Sequence, residues 1–411
     1  MTVATTRRIA LKLAGQTFDE WSRVEITRDL SEISGSFALE MRDSVRSVAS
    51  WPFATLAALA HKVAVLDEVT ITIDGEKVLV GYVEEITPHA DVQQVSVSIS
   101  GRDKTGDLVD GAACVDGPFE HRNIKLDAFC RKICEPYGLK VRAEVDVGEP
   151  IDRATIDVAE TGLSAVEKYT RQRGVLATSD GVGSVVLTRS GKARAAADIV
   201  FPSYGVISAS GCFSTKGRHD KYHVKGQAEG AAGKRKGKTP HLDATAAPLV
   251  GGVPGDYLDA LAGHEGAGTE IYGSAEDGEI RRHRPHVALG RTKLTQEGAK
   301  QQAEWLARTA KAREEKLEYE LKGYRANGQL WKPNTLVGVE DSFNDVFKDM
   351  LVAGVAYLFD ERGERTHLRL TGPDAYDPEQ TRKSNHKGTK KGGAGGGSGG
   401  SGGLDGTAEA L

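Results

Sequence analysis

The feature that most constrains the fold is a segment that occurs twice in the chain. Residues Val78–Asp107 read VLVGYVEEITPHADVQQVSVSISGRDKTGD, and residues Leu351–Pro378 read LVAGVAYLFDERGERTHLRLTGPDAYDP. Both run from a strand through a glycine, a second strand and a turn into an alternating strand that ends in Gly-x-Asp. Self-similarity over so long a period predicts two related modules of the β-barrel or sandwich type, although hairpins also resemble one another by chance.

Three residue pairs mark this repeat, and their separations differ by two residues, which a turn can absorb. The pairs are Gly81 with Gly354, Gly101 with Gly372, and Asp103 with Asp374. Glycine permits tight turns, and an aspartate carboxylate accepts hydrogen bonds from nearby backbone N–H groups. We therefore predict structural roles for these residues at the ends of strands.

Hydrophobic periodicity divides the rest of the chain. Apolar and polar residues alternate through most of Arg7–Arg102, which predicts a half-buried antiparallel sheet, and Asp74-Gly75 between two such runs predicts a tight hairpin. Ser50–Ala64 has helical spacing and predicts a helix or lobe inserted between strands. From Thr105 to Val200 helical spacing and short strands alternate, which predicts a small α+β domain.

A chain of 411 residues is too long for one ordinary core. The predicted fold class is α+β, mainly β, with two related antiparallel β domains on either side of the small α+β domain. The predicted boundaries are 1–104 for the first β domain, with a helical insertion at about 50–64; 105–200 for the α+β domain; 201–374 for the second β domain, with a loop insertion at about 228–277; and 375–411 for a basic, Gly/Ser-rich, flexible tail.

Composition narrows the class of protein. Apolar residues make up 39% and charged residues 27%, and no run approaches the roughly 18 apolar residues that span a bilayer. The first residues read as a strand rather than a signal peptide, and four cysteines form no disulfide framework, so we expect cytoplasmic synthesis. With a net charge of -4, the chain as a whole lacks the excess positive charge that is typical of nucleic-acid-binding proteins. The basic runs at 233–238 and 382–391 lie in glycine-rich segments and are interpreted as solvated loops.

Acidic residues and glycines cluster near the first Gly-x-Asp, and such residues also occur in phosphate-binding, cation-binding and hydrolase sites. Gly101 and Gly106 have the spacing that opens a phosphate-binding loop, but Asp107 follows where a lysine is needed, and an aspartate repels phosphate. Asp103, Asp107 and Asp110 have the composition of a cation or hydrolase site, but acids beside glycines are usually solvated turn residues. Glu84 and Glu85 are adjacent on a predicted strand, so we expect their side chains on opposite faces.

Cysteines and histidines offer a second set of candidates. Cys130 and Cys134 share a helix face, and with Cys114 and His121 they have the residue types of a zinc site, but their spacing matches no common knuckle. Four further histidines lack a His-Glu-x-x-His arrangement; they are His219, His223, His283 and His286. We predict no catalytic residue, no metal and no cofactor.

Several segments, taken in order, resemble the baseplate hub proteins of Mu-like contractile-tailed phages, which are relatives of phage tail protein D and of the N-terminal region of VgrG spikes. The resemblance spans about residues 5 to 378. The segments are LVGYVEEI, SGRDKTGDLVD, TGLSAVEKYTRQRGVLATSDGVGSVVLT, GVISASGCFSTKGRHDKYHVKGQ, RRHRPHVA before AKQQAEWLARTAKARE, and GQLWKPNTLVGVED before LTGPDAY.

The resemblance implies a homotrimer in which each subunit contributes two tube-like β-barrels to a ring of six. Such a ring adapts the sixfold tail tube to a threefold spike and lines a channel for DNA or tape-measure protein. Expected partners are the chain itself, the spike, tail-tube and other baseplate proteins, with no stable membrane binding. The expected location is the virion tail, after assembly in the host cytoplasm. The alternatives are the hub or spike base of a tailocin or type VI-like secretion system, or a tail-associated cell-wall hydrolase.

Overall fold

A computed structural model describes residues 8–13, 16–43, 63–90, 95–227, 270–290 and 296–378. The helix predicted at Ser50–Ala64 lies almost entirely outside the described residues, as does the tail beyond 378. Across the described ranges, no helix has both the length and the apolar character needed to cross a membrane.

The first module is an antiparallel sheet in the order β3-β4-β7-β6-β5-β1-β2. Its strands are β1 (Ile9–Leu13), β2 (Gln16–Phe18), β3 (Arg23–Asp29), β4 (Ser36–Asp43), β5 (Glu68–Ile73), β6 (Glu76–Ala90) and β7 (Val95–Asp103). The predicted hairpin is confirmed, because Ile73 pairs with Glu76 and both Asp74 and Gly75 have positive φ. Alternation buries one face of β3: Val24 and Ile26 are inside, whereas Arg23 and Glu25 are exposed.

A small α+β domain follows. Its elements are α1 (Gly106–Asp110), β8 (Glu120–Ile124), α2 (Leu126–Cys134), β9 (Lys140–Ala143), β10 (Ile151–Thr155), α3 (Gly162–Gln172), β11 (Leu176–Ser179) and β12 (Ser184–Thr188). The strands form a three-stranded sheet β11-β12-β9 and a two-stranded ribbon β10-β8. The apolar faces of α2 and α3 share one core, in which the rings of Phe129 and Tyr169 meet edge to face at 4.9 Å.

The second module contains the remaining elements. They are β13 (Ala193–Arg194), β14 (Ile199–Phe201), β15 (Val206–Phe213), β16 (Lys221–Gln227), β17 (Glu270–Glu276), β18 (His286–Leu289), α4 (Gln296–Arg313), β19 (Glu315–Lys322), β20 (Arg325–Ala326), β21 (Gln329–Leu330), β22 (Thr335–Asp341), β23 (Val346–Asp360) and β24 (Gly363–Thr371). Of the predicted loop insertion at about 228–277, only the end is described, and it forms strand β17.

The two modules share one strand order. The run β15-β19-β24-β23-β22 of the second module repeats β3-β4-β7-β6-β5 of the first, antiparallel throughout. Two differences accompany the repeat. The partners of β22 on its far side, β13 and β14, run parallel to it, whereas β1 runs antiparallel to β5. The connection from β15 to β19 also carries a subdomain in which α4 packs on the sheet β17-β16-β18.

The central hairpins match in length and in one irregularity. β6 and β23 each have 15 residues, and β7 and β24 each have nine. In the first hairpin Val83 pairs with Gly101 and the ladder then skips Glu84; in the second Val352 pairs with Leu370 and the ladder skips Ala353. A bulge of one extra residue therefore lies near the middle of both long strands, after the eighth residue of β6 and the seventh of β23.

This shared bulge corrects the residue matches made from the sequence. Gly101 corresponds to Leu370 and not to Gly372, and Gly81 lies opposite Asp103, whereas Gly354 lies opposite Arg369. Asp374 lies beyond the strand, in a 3₁₀ turn at Pro373–Tyr376. The matches failed because the aligned Gly-x-Asp signatures occur at different distances from the bulge, while the strands themselves have equal lengths.

Strand β23 joins the modules into one 14-stranded sheet. Along one edge, Val346–Leu351 pairs with β22 and Gly354–Phe359 pairs with β3, with the bulge between these halves. One hydrophobic core consequently extends through both modules and includes Trp21, Tyr319 and Tyr357. Within the described strands the sheet path is open, with β2 and β15 at its ends, so the two tube-like barrels stay a prediction.

Candidate assembly site

The strongest candidate site is the region where the two modules and the small domain meet. The β3–β23 ladder contributes six residue pairs, from Gly354 opposite Asp29 to Phe359 opposite Val24, and the Leu30 N–H extends it by donating to the Ala353 carbonyl at 2.8 Å. Arg369 forms an ion pair with Asp29 beside Gly354. A Cβ added at Gly354 would lie 2.2 Å from Asp29 Oδ2, so this glycine makes room for the ion pair.

A second set of charges joins the modules at the Asp74-Gly75 turn. Arg8 donates two hydrogen bonds to the Asp74 carboxylate at 2.8 and 2.6 Å and a third to Glu364 at 2.5 Å. Arg325 of the second module donates to Asp74 at 3.1 Å and to Glu76 at 3.0 Å. The hydrogen bond from Arg8 is the main reason that the pKa of Asp74 lies below its ordinary value, with Arg325 adding to it.

Asp103 is the carboxylate that fastens the first module to the small domain. It is 2% exposed and accepts five hydrogen bonds. Two come from the backbone N–H groups of Gly35 (3.1 Å) and Thr105 (2.9 Å), and three from the hydroxyls of Ser34 (3.2 Å), Thr105 (2.5 Å) and Ser179 (2.8 Å). These donors come from the β3–β4 turn, the start of α1 and the end of β11. The arrangement is typical of a buried structural carboxylate, whose oxygens are filled by fixed donors.

Gly81 and Gly101 allow β6 and β7 to approach each other beside Asp103. A Cβ at Gly81 would lie 1.9 Å from the Arg102 carbonyl oxygen, and one at Gly101 would lie 2.0 Å from the Tyr82 carbonyl oxygen. Both obstacles are backbone atoms, which cannot rotate away. These glycines therefore have a steric role in the sheet rather than a role in binding phosphate.

The predicted residues Gly372 and Asp374 lie at the C-terminal end of the second module, against α4. The Gly372 N–H donates to the Ala312 carbonyl at 3.1 Å, and Asp374 forms an exposed ion pair with Arg308 at 3.3 Å. Arg308 also binds Asp377 at 2.6 Å. The structure thus places Gly81, Gly101 and Asp103 together and places Gly354 at the module junction, while Gly372 and Asp374 form a separate contact with α4.

Two acids near the first Gly-x-Asp bind the same arginine. Arg102 forms ion pairs with Glu84 at 2.7 Å and with Asp110 at 2.5 Å. The hydrogen bond from Arg102 to Asp110 lowers the pKa of the Asp110 carboxyl group. Glu85 instead accepts a hydrogen bond from Thr87. The bulge falls at Glu84, so the strict alternation assumed for Glu84 and Glu85 is interrupted there.

The predicted zinc candidates lie in the core of the small domain. Cys130 and Cys134 on α2 are fully buried among apolar side chains, and burial raises the pKa of the Cys134 thiol to about 12. Apolar surroundings of this kind are typical of free cysteines that pack in a hydrophobic core. Cys114 accepts a hydrogen bond from the Gly117 N–H. No group of three or more His, Cys, Asp or Glu side chains suited to a metal occurs in the described ranges.

Two of the histidines that are distant in the sequence lie close together beside the sheet β17-β16-β18. The rings of His219 and His286 lie 5.0 Å apart because β16 pairs with β18, and both rings contact Tyr222. Burial, and secondly the proximity of His219, lower the pKa of His286. His223 stacks on Tyr272 instead. The only signal in the sequence was the alternation of each short strand, which does not reveal their pairing.

Sequence reasoning also missed a buried acid in the second module. Asp341 is fully buried at the end of β22, where it accepts hydrogen bonds from the Tyr319 hydroxyl at 2.5 Å and the Asn344 amide at 2.7 Å. Burial alone would raise its pKa, but these donors and the N–H groups of Phe343 and Asn344 bring it below the ordinary value. Its acidic turn, EDSFND, looks like an ordinary solvated loop in the sequence.

Family models match three parts of the chain. Residues 8–103 match the N-terminal domain of Mu phage baseplate assembly protein GpP-like proteins, residues 105–189 match the second domain of baseplate hub protein gp44-like proteins, and residues 295–379 match the fourth domain of Mu phage baseplate assembly protein GpP. All three models describe domains of phage baseplate proteins, and the three matches follow one another along the chain.

Individual proteins show the same likeness. The baseplate hub protein gp44 of Escherichia phage Mu is 28% identical over 94% of this chain and 93% of its own length. The crystal structure of a 43 kDa tail protein from prophage MuSo2 of Shewanella oneidensis covers 90% of this chain and 99% of its own, with a TM-score of 0.71 and 29% identity. A tail protein from Neisseria meningitidis has the same fold, with a TM-score of 0.69, 16% identity, and coverage of 90% and 98%. The resemblance inferred from the sequence is therefore confirmed, and the chain is a homologue of the baseplate hub proteins of Mu-like phages.

Proposed function

We propose that the protein is a structural baseplate hub of a contractile phage tail. In this role three chains form a ring that joins the sixfold tail tube to a threefold central spike and lines the channel between them. The single observation that carries the proposal is the duplicated strand order within one chain. Two similar modules per chain, repeated about a threefold axis, supply six similar units, which is what an adaptor between threefold and sixfold partners requires.

The proposed partners are those that such a ring would join. One side of the ring binds the tail tube, the other binds the spike, and the periphery contacts other baseplate proteins, while DNA or tape-measure protein passes through without stable binding. The proposed location is the baseplate of the virion tail. The buried donors around Asp103 support a structural rather than catalytic use of the acidic region, and we propose no cofactor.

Electron microscopy of the purified full chain, alone and with its spike protein, tests the hub role. We expect rings of three chains with six similar lobes, and mass photometry should show the mass of a trimer. A chain that stays monomeric at every concentration, with and without its spike protein, would overturn the proposal.

A hydrolase acting on the cell wall is the alternative from another class, and the acids near Asp103 are its motivation. A peptidoglycan zymogram separates the two. Clearing that disappears on Asp107→Asn, in a protein that still folds, would favour the hydrolase. The hub or spike base of a tailocin or type VI-like secretion system remains a second alternative with the same geometry, and the neighbouring genes distinguish it from an infectious phage.

A further inference from the structure

A cleft of about 1010 Å³ lies between the small domain, the β3–β4 turn and the subdomain of α4 and the sheet β17-β16-β18. Apolar side chains such as Leu163 and Leu306 line it, together with all four residues of the short strand β18. Clefts of roughly 300 to 1,000 Å³ are typical of binding sites. The ring of the proposed hub makes no use of this cleft.

Strand β18 forms an open edge inside the cleft. It pairs in parallel with β16 on one side, and no described strand pairs with it on the other. The Gly290 N–H donates to the Lys225 carbonyl of β16 at 2.7 Å. Backbone groups alternate in direction along a strand, so those of Ala288 also face β16, and those of Val287 and Leu289 face the open edge. Edge groups of this kind are a template for pairing with another extended segment.

The side chains at the same two positions are apolar and uncovered. Val287 is 55% and Leu289 is 79% exposed, whereas Ala288 between them packs on the small core that α4 forms with the sheet. Trp305 and Leu306 of α4 line the same cleft. An incoming strand with apolar residues at alternate positions would therefore find apolar surface along its whole length.

The wall of the cleft also contains a buried acceptor that lacks a donor. Gln302 of α4 is 8% exposed, and its Oε1 has no hydrogen-bond partner in the part of the chain that the structure describes. Buried polar atoms are nearly always paired. An N–H or O–H group of a bound molecule can supply the missing hydrogen bond.

The charges along the cleft cancel. Three arginines and three acids line it, and they are Arg102, Arg171, Arg313, Glu32, Glu167 and Asp377. Nucleic acid is bound mainly through an excess of positive charge, which this lining does not have. The lining thus favours an occupant without net charge.

We propose that the open edge of β18 binds an extended, uncharged segment of another protein, which adds a strand to the sheet β17-β16-β18. The backbone of this segment forms hydrogen bonds with Val287 and Leu289, and its alternate apolar side chains cover these two residues. In strand addition the backbone supplies affinity, and contacts with alternate side chains supply specificity. This surface is additional to the ring of the proposed hub and does not depend on it.

Selection from a ribosome-displayed library of short random peptides, with the full chain as bait, tests the chemistry of the occupant. We expect enriched peptides to have apolar residues at alternate positions and few charges. One enriched peptide, labelled with a fluorophore, then gives a dissociation constant by fluorescence anisotropy. A library that yields no peptide of this pattern overturns the proposal.

Proline at the open edge tests where the peptide binds. Val287→Pro removes an N–H that faces away from β16, and edge strands tolerate proline at such positions. The thermal midpoint should change little, while the dissociation constant of the peptide should rise at least about tenfold through the lost hydrogen bond and the altered edge. Val287→Thr keeps the N–H and the branched shape and is the matched control. Equal dissociation constants for Val287→Pro and Val287→Thr overturn the proposal.

A second variant keeps the test valid if Val287→Pro does not fold. Leu289→Asp changes a side chain that is 79% exposed, so the fold should be retained. It places a charge against the apolar residues of the peptide, and the dissociation constant should rise at least about fivefold. An unchanged dissociation constant for Leu289→Asp contradicts the proposed contact.

Other occupants of the edge give different results. If a second copy of the chain occupies it, mass photometry should show fewer oligomers for Val287→Pro than for Val287→Thr, which overturns the proposal. If another segment of the same chain occupies it, the selection should yield no peptide of the expected pattern. Trimers of the unmodified chain that bind no such peptide overturn this inference and leave the hub proposal standing.

Discussion

The hairpins β6–β7 and β23–β24 have equal strand lengths and the same bulge, yet they occupy different environments. The second half of β23 is covered by β3, and residues 354–359 are mostly buried. The second half of β6 pairs with β7, but no described strand pairs with it on the opposite side, and Thr87 and Pro88 are exposed. Because the two hairpins are built alike, the difference arises from what lies next to each, and burial in this chain is set by neighbours rather than by the hairpin itself.

The largest contrast concerns the two aspartates matched in the sequence. Asp103→Ala removes the acceptor of five hydrogen bonds in a buried site and should lower the free energy of unfolding by about 3 kcal/mol or more. Asp374→Ala removes an exposed ion pair and should cost about 1 kcal/mol or less. Urea unfolding of both variants measures the two losses in the free energy of unfolding. Equal losses would mean that Asp103 and Asp374 are equivalent, which contradicts the register set by the bulge.

The glycines give the next contrast. Gly81→Ala forces a Cβ against the carbonyl of Arg102 and should destabilise by about 2 to 3 kcal/mol. Gly354→Ala meets the side chains of Asp29 and Arg369, which can move apart, so we expect about 1 kcal/mol. Thermal unfolding of the two purified variants provides the comparison. A larger loss for Gly354→Ala would mean that the ion pair beside it is as rigid as the backbone.

Truncating the corresponding apolar residues of the two strands tests the difference in environment. Val355→Ala removes methyl groups from the core and should cost about 2 kcal/mol, whereas Ile86→Ala should cost less than about 1 kcal/mol in the separate chain. Urea unfolding of the two variants compares the losses. Equal losses would mean that the two positions are equally important to the core.

The smallest expected effect concerns the subdomain of α4 and the sheet β17-β16-β18, which only the second module carries. Burial and, next, His219 lower the pKa of His286 below the ordinary value of about 6.5. As the pH falls through that value, the unfolded chain takes up a proton that the folded chain resists, so stability should decrease between about pH 7 and 5.5. Thermal midpoints across this range should fall less for His286→Gln than for the unmodified chain. His367→Gln on β24 is the control. An equal change of the thermal midpoint with pH in both variants would mean that His286 does not cause the pH dependence.

The sequence predicted much of the secondary structure, because alternation and helical spacing are local properties. The Asp74-Gly75 hairpin, the mainly β class and the duplicated hairpin were all visible without coordinates. The register of the duplication was not, because a bulge has no reliable sequence signature and the Gly-x-Asp endings suggested a false alignment. Partners distant in sequence were also hidden: nothing near Asp103 indicates Ser179, and nothing in Arg28 indicates that it binds the Ser179 carbonyl.

The candidate site shows the same limit. Gly81, Gly101 and Asp103 were singled out from the sequence as structural candidates, but their steric contacts and hydrogen bonds depend on the three-dimensional structure. Asp341 was missed because its turn is rich in acids and gives no sign of burial. The pairing of His219 with His286 depends on the contact between β16 and β18, which are far apart in the chain.

The bulge at Glu84 and Ala353 has a geometric consequence. An extra residue bends the strand that carries it and increases its local twist. Since β6 and β23 are both bent near the middle, each chain contains two corners of the same kind, and the angle at each corner limits how sharply successive modules can turn. Inserting or deleting one residue there should change the curvature of any larger assembly, and with it the diameter that the assembly can enclose.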